Sequence, residues 1–167
     1  MSLKEGMSAC PNIVASSLPS KEFWAYEELY DTVFEADEEA RVVRSKYKGM
    51  FFVYTKKTEA VLSNFFRYQH AFLGKVLPVK VCDTDIRSLI RRSIELLSIK
   101  EVRLMLHIRE PLKNKVHEDY IAFLITSGGL RLSKKSKFIF AIESIENTFL
   151  SSFGITRKCG SHCYALV

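Results

Sequence analysis

No stretch of this chain approaches the roughly 18 uninterrupted apolar residues that a bilayer-crossing helix needs. The first residues also lack the charged-then-apolar layout of a secretory signal. Both absences predict a protein made and kept in the cytoplasm, with no membrane partner. A glycine-rich strand-to-helix turn, which would cradle a nucleotide or S-adenosylmethionine, is missing too. Gly128-Gly129 stands alone and fits a helix cap. The four cysteines make no two-by-two zinc spacing, and in a cytoplasmic chain they give no reason to expect a disulfide framework. In the tail, Cys159-Gly160-Ser161-His162-Cys163 supplies three metal ligands at most, with a fourth needed from Cys82, Cys10 or a second copy. The tail is therefore read as a small apolar strand or a loose end, with no metal and no cofactor expected. Nothing marks a nucleophile around Cys163. The nearest carboxylate pair, Asp83 and Asp85, stands at the head of a helix, where carboxylates serve as caps. These absences point away from a catalytic chain.

What is present is ordinary core-forming material with an uneven charge. Of 167 residues 47% are apolar and 12% aromatic, enough to bury one domain or two very small ones. Residues 1–70 hold 9 Lys and Arg against 10 Asp and Glu, a balance of −1; residues 71–167 hold 16 against 9, a balance of +7. All of the net +6 therefore falls in the second half, a sign that points to a polyanionic partner. Met1-Ser2-Leu3 reads as an added leader, with Met7 near the natural start.

The chain is organised around Leu73 to Lys100. An apolar strand, Leu73 to Val81, carries Pro78, whose missing N–H suits an edge, a bulge or a change of sheet. Through Cys82-Asp83-Thr84-Asp85 it enters a helix to Leu97 that buries Ile86, Leu89, Ile90, Ile94 and Leu97 and leaves Arg87, Arg91 and Arg92 off the buried stripe. One module ends here, residues 10–74, and a second begins, residues 75–167. The first reads as strand 12–16, helix 21–37 with Ser20 as its cap, a hairpin of strands 41–45 and 50–54, helix 57–68, then the Leu77 strand. This is the split strand–helix–strand–strand–helix–strand order called ferredoxin-like. The first helix has an acidic outer face: Glu22, Glu27, Glu28, Asp31 and Glu35. Its aromatic residues are assigned to packing.

In the second module, Val102, Leu104, Leu106 and Ile108 alternate with Arg103, Met105, His107 and Arg109, the pattern of a half-buried strand. A basic loop with Lys113 and Lys115 leads to a helix opening near His117 and stopping at Gly128-Gly129. A basic connection follows, with Arg131, Lys134, Lys135 and Lys137, then strands 138–142 and 148–153. The fold class is α/β (α+β).

Several of these segments carry a resemblance. Asn12-Ile13-Val14-Ala15-Ser16-Ser17 before a Glu-containing helix, and Tyr47-Lys48-Gly49-Met50 before a strand, resemble the ferredoxin-like domain that precedes THUMP domains. Val76-Leu77-Pro78-Val79 is similar to the segment joining the two domains. The strand Arg103 to Ile108 ending in Arg109, then Lys113-Asn114-Lys115-Val116-His117, resembles the THUMP strand, basic loop and helix. Phe138-Ile139-Phe140-Ala141-Ile142-Glu143 resembles a late THUMP strand. Where that family often has an Asn-Pro-Asp-like turn, this chain has Lys134-Lys135-Ser136-Lys137, which adds positive charge. The likeness spans about residues 12–155, and the order of the segments carries it.

The resemblance implies a ferredoxin-like domain followed by a small THUMP α/β domain. It also implies binding at the acceptor end of tRNA, with Arg109, Lys113 and Lys115 at the family's basic strand and loop. With no catalytic domain, the chain resembles the stand-alone adaptor group that presents tRNA to the N4-acetylcytidine-forming acetyltransferase. Arg91, Arg92, Arg109, Lys113, Lys115, Arg131, Lys134, Lys135 and Lys137 come from four segments and are expected to converge on one RNA-binding face, although each taken singly reads as a solvated charge. Two alternatives stand beside this. One is a protein-interaction or homodimerisation module using the acidic first helix; the other is the RNA-binding subunit of a thiolation or methylation enzyme.

Overall fold

The computed structural model describes residues 10–167, so the readings of the leader and of a signal segment fall largely outside the described residues. The described residues divide into two units, 10–78 together with 157–167, and 79–156. The class is α+β, as the alternating and helical periodicities imply. No helix among the described residues is long and apolar enough to cross a membrane.

In the first unit β1 (Ile13–Ser17), α1 (Glu22–Ala36), β2 (Arg41–Arg44), β3 (Met50–Tyr54), α2 (Thr58–Phe65) and β4 (Leu73–Pro78) follow in the ferredoxin-like order. The strands lie β2-β3-β1-β4, each antiparallel to its neighbour. Ala25, Leu29 and Val33 recur at helical spacing on α1 and bury against Ile13, Ala15, Phe51 and Val53. Ser20 does not cap this helix: it takes a left-handed φ of 64°, and Lys21 precedes the first turn without a side-chain cap. The predicted strand 73–81 ends at Pro78, which pairs with Ile13 of β1 on one side and lies beyond the last pairing on the other, at Val76, where no N–H is required.

The last residues depart most from expectation. The sequence placed 157–167 in the second module; the structure packs them on the first unit, where β10 (Tyr164–Leu166) runs parallel to β4, pairing Tyr164 with Lys75 and Ala165 with Val76. Ala165 and Leu166 are fully buried, so the apolar end of the chain completes this unit. The absence of a disulfide framework was also a wrong expectation: Cys159 and Cys163 are bonded to each other, and no cysteine among the described residues is free. Their sulfurs are therefore unavailable to a metal, and both lie in the core. Buried His70 holds this return. Its backbone N–H donates to the Cys159 carbonyl at 2.8 Å, and its ring nitrogens lie 3.0 Å from that same oxygen and 3.0 Å from Thr32 Oγ1. Glu28 of α1 fixes the adjoining loop by accepting from the backbone N–H groups of Ala71, Phe72 and Leu73.

The second unit is built on β5 (Val81–Asp83), α3 (Ile86–Glu95), β6 (Glu101–His107), α4 (Glu118–Ser127), β7 (Arg131–Leu132), β8 (Phe138–Ile145) and β9 (Thr148–Lys158), whose last two residues return to the first unit. Strand order is β7-β6-β8-β9-β5, with β6 parallel to both neighbours and the β8–β9 pair a hairpin. The parallel strands need crossovers, which α4 supplies between β6 and β7. Val102, Leu104 and Leu106 meet Ile86, Leu89, Ile90, Ile121 and Ile125 in one core. Asp85 caps α3, accepting from the Arg87 N–H at 3.2 Å, as the sequence predicts.

Two outcomes follow. A Cβ at Gly160 would come within 2.0 Å of the His70 carbonyl oxygen, so Gly160→Ala is expected to loosen the returning strand and cost about 1–3 kcal/mol in urea unfolding. Asp37, at the end of α1, accepts from Thr55 Oγ1 at 2.5 Å and from the Glu39 N–H at 3.0 Å; the Thr55 bond above all lowers its pKa, against the opposing effect of burial. A lowered carboxyl pKa stabilises the fold above the unfolded-state value near 3.8, and that contribution disappears as pH falls through the folded value. Thr55→Val should therefore lower stability at pH 7 and lower it less in acid, measured by urea titration at both pH values.

Candidate nucleic-acid interface

Every basic residue singled out from the sequence lies in the second unit, and the local structure sorts them by what holds the charge. Once the returning end is counted with the first unit, residues 79–156 hold 13 Lys and Arg against 9 Asp and Glu, a net +4. The first unit, with residues 157–167, carries the remaining +2. The charge is thus less lopsided than the division at residue 70 suggested.

Three arginines are held by carboxylates. Arg92 Nη1 lies 3.1 Å from Asp83 Oδ2 and donates to the Cys82 carbonyl at 3.2 Å. The Asp83 carboxyl is held below its ordinary range, first by the Asp85 backbone N–H, then by the Ser88 hydroxyl and Arg92. Arg131 pairs with Glu101 on the neighbouring strand, its register partner. Arg109 is the most enclosed, with a side chain 14% exposed and its Nη1 2.9 Å from Oε1 of Glu143, itself 4% exposed. The same nitrogen donates to the Ser144 carbonyl at 3.2 Å, the Arg109 backbone N–H donates to Ser144 Oγ at 2.6 Å, and Nη2 lies 3.1 Å from His107 Nδ1. These bonds fasten the segment after β6 to β8. Arg109 thus fixes the start of the basic loop, and its guanidinium faces Glu143.

The other six, Arg91, Lys113, Lys115, Lys134, Lys135 and Lys137, are exposed, and no ion pair engages them among the described residues. They do not share one loop or one end of the sheet. Arg131 and the three lysines after it lie at the start of β6: Arg131 pairs with Glu101, its N–H donates to the Lys100 carbonyl, and Ser136 Oγ donates to the Glu101 carbonyl at 3.3 Å. Lys113 and Lys115 follow the far end of the same strand, in a loop closed by successive turns from Leu112 to Arg109 and from Lys115 to Leu112. Seven residues of β6 separate the two clusters, about 20 Å at ~3.3 Å per residue. Arg91 projects from α3.

The RNA-binding set drawn from the sequence left out four further exposed cations of this unit, Lys80, Arg87, Lys100 and Arg103, although helical spacing had already turned Arg87 to solvent. Lys100 joins the cluster at the start of β6, where Arg131 bonds its carbonyl. Arg103 lies on the face of β6 away from the helices, a position the alternation already marks. Arg87 at the head of α3 donates from Nε to Tyr120 OH at 2.6 Å, and this bond raises its pKa further. Among the described residues no three His, Cys, Asp or Glu side chains gather into a metal-holding group.

Removing one partner of a buried pair leaves the other charge uncompensated. Glu143→Ala is therefore expected to destabilise the protein by about 3–5 kcal/mol in denaturant unfolding, while Glu143→Leu combined with Arg109→Met should recover most of that loss. Equal stability of the single variant and the parent would remove Arg109 from this structural role.

No family model matches the sequence, and no curated protein matches it. Solved structures do share the fold. PH1313 from Pyrococcus horikoshii Ot3 superposes with a TM-score of 0.60 over 89% of this chain and 55% of that one, at 11% identity. A 4-thiouridine synthetase, solved in complex with RNA and with bound ATP, gives 0.56 over 86% of this chain and 41% of that one, at 12% identity. The chain therefore spans about half, or less, of the length of these structures, and what it shares with them is the fold.

Proposed function

We propose that this chain is a non-catalytic RNA-binding adaptor: the second unit is a THUMP domain that holds the acceptor end of tRNA and presents it to a tRNA-modifying enzyme. The observation that carries the reading is the set of six exposed cations without acidic partners in a unit of net +4. Phosphates are the ligand such a set recognises, because each neutralised phosphate releases counterions. The two clusters suit a duplex stem. Double-stranded RNA is gripped through its backbone and shape across successive grooves, which asks for cations spaced along the stem more than for one dense patch. The shared fold with an RNA-bound synthetase supports the same substrate class.

The enzyme served is, in this reading, the N4-acetylcytidine-forming acetyltransferase, since the segment order resembles its stand-alone adaptor group. The likeness to a 4-thiouridine synthetase favours a second assignment, a thiolating partner. A cytoplasmic location, where tRNA is modified, goes with either. The Cys159–Cys163 disulfide is compatible with that where the cell interior tolerates one, as in hyperthermophilic archaea.

Binding of bulk tRNA, followed by fluorescence anisotropy across a salt series, tests the reading. Lys113→Glu with Lys115→Glu, and separately Lys134→Glu with Lys135→Glu and Lys137→Glu, should each weaken binding at least tenfold with an unchanged circular dichroism spectrum. The triple variant should also flatten the slope of log K against log salt by about 2–3. Undiminished affinity in both variants would remove these loops as the RNA surface. Modification of tRNA by the purified chain alone would overturn the adaptor role.

A further inference from the structure

The outer face of α1 is not the packing surface that its aromatic content suggests. Phe23 is 57% exposed, Trp24 55%, Tyr30 42% and Phe34 43%. The buried stripe of α1 is Ala25, Leu29 and Val33; at about 100° per residue Phe23, Tyr30 and Phe34 project together to the opposite side, while Trp24 falls beyond the Glu27–Asp31 row with its ring 6.0 Å from Phe72. These aromatics form ordered contacts with one another. The Tyr26 and Tyr30 rings lie 6.2 Å apart, Tyr30 and Phe34 stack at 5.6 Å, and Phe23 meets Trp24 edge-on at 5.2 Å. With rings of about 150–250 Å² each, roughly half exposed, Phe23, Tyr30 and Phe34 supply about 300 Å² of apolar surface. That is within the range of the largest patch a monomer ordinarily shows, and the hairpin and helix edges would supply the rest of the ~800 Å² per partner that a specific interface buries.

The two edges of this patch carry opposite charge. One edge is acidic: Glu27 and Asp31 stand four residues apart beside the aromatic ladder, and Glu35, one turn on, is engaged by the Tyr68 hydroxyl and by Arg67. On the other edge stands the β2–β3 hairpin. There the Arg44 guanidinium sits 4.4 Å above the Tyr26 ring, and Lys46 and Lys48 follow in the turn. The carboxylate edge repels an RNA backbone, so this face belongs to a polypeptide. That polypeptide must offer aromatic or aliphatic surface with a cationic border on one side and an acidic border on the other. The chain itself has such a face.

We infer that α1 is the contact surface of a two-fold homodimer, in which the helix of one copy packs side by side and parallel on that of the other. The symmetry follows from charge. With the two-fold axis lying along the helices, the Glu27–Asp31 edge of each copy meets the Arg44 edge of its partner, twice over. An axis across the helices would set carboxylates against carboxylates. A two-fold interface is closed and self-complementary, so it ends at the dimer. The aromatic rings form its centre and the ion pairs its rim, the distribution found in specific interfaces.

Sedimentation equilibrium of the full chain tests this. The parent should show a monomer–dimer equilibrium that weakens as salt is raised, because exposed rim charges are screened. Tyr30→Ser with Phe34→Ser should raise the dimer dissociation constant at least tenfold, the cost of losing central aromatic anchors. Glu27→Lys with Asp31→Lys, and Arg44→Glu alone, should each weaken the homodimer, and a mixture of these two proteins should re-form a dimer. Both charge variants alter exposed residues only, so loss of fold is checked by circular dichroism. A parent that stays monomeric at every concentration overturns the inference. So does a dimer that the aromatic double variant leaves undiminished. Loss of tRNA binding alone would bear on the adaptor reading and leave this one standing, since the two surfaces share no residue.

Discussion

Strand β6 governs where charge can stand in the second unit. It is central, parallel to β7 and β8, and seven residues long. A parallel neighbour requires the chain to leave one end of the strand and return to begin again at the other. The loop after β6 and the connection before β8 are thereby forced to opposite ends of the sheet. Lys113 and Lys115 belong to the first, Lys134, Lys135 and Lys137 to the second. Their separation is a property of topology, and no choice of side chains within the loops can close it. A polyanion that engaged both groups would have to meet them at two places or along an extended track.

The same strand explains why Arg109 behaves unlike its neighbours. It stands two residues past the end of β6, level with Glu143 and Ser144 of the adjoining strand. A guanidinium there is offered a carboxylate and a carbonyl in a nearly closed site, and binding them satisfies its donors. Such a pair gives little net stability against an apolar replacement, but it is costly to break on one side. Its consequence is geometric: the basic loop starts from a fixed point. Arg92 and Arg131 hold their carboxylates on more exposed surface, where ion pairs contribute less.

In the first unit the corresponding constraint is polar. Glu28, Thr32 and His70 bond the loop before β4 and the returning chain end to the inner edge of α1. With that edge occupied and Ala25, Leu29 and Val33 in the core, the aromatic residues of α1 have only the outer side left. An aromatic ladder in solvent is thus what remains after the helix has met its packing and hydrogen-bonding demands elsewhere.

Local pattern alone determined most of the elements: the alternation of Val102, Leu104 and Leu106, the helical spacing of Ile86, Leu89 and Ile90, the Asp85 cap and the split order of the first unit were all legible. These are short-range consequences of period and side-chain chemistry, which neighbouring residues carry. The resting place of the last eleven residues, the bond between Cys159 and Cys163, the burial of Arg109 and the exposure of Phe23, Trp24, Tyr30 and Phe34 were not legible. Each depends on which surface a segment finds after folding, and that is set by contacts between residues far apart in the chain. Total charge could be counted from the residues; only the course of the strands decided that its lysines would stand in two groups.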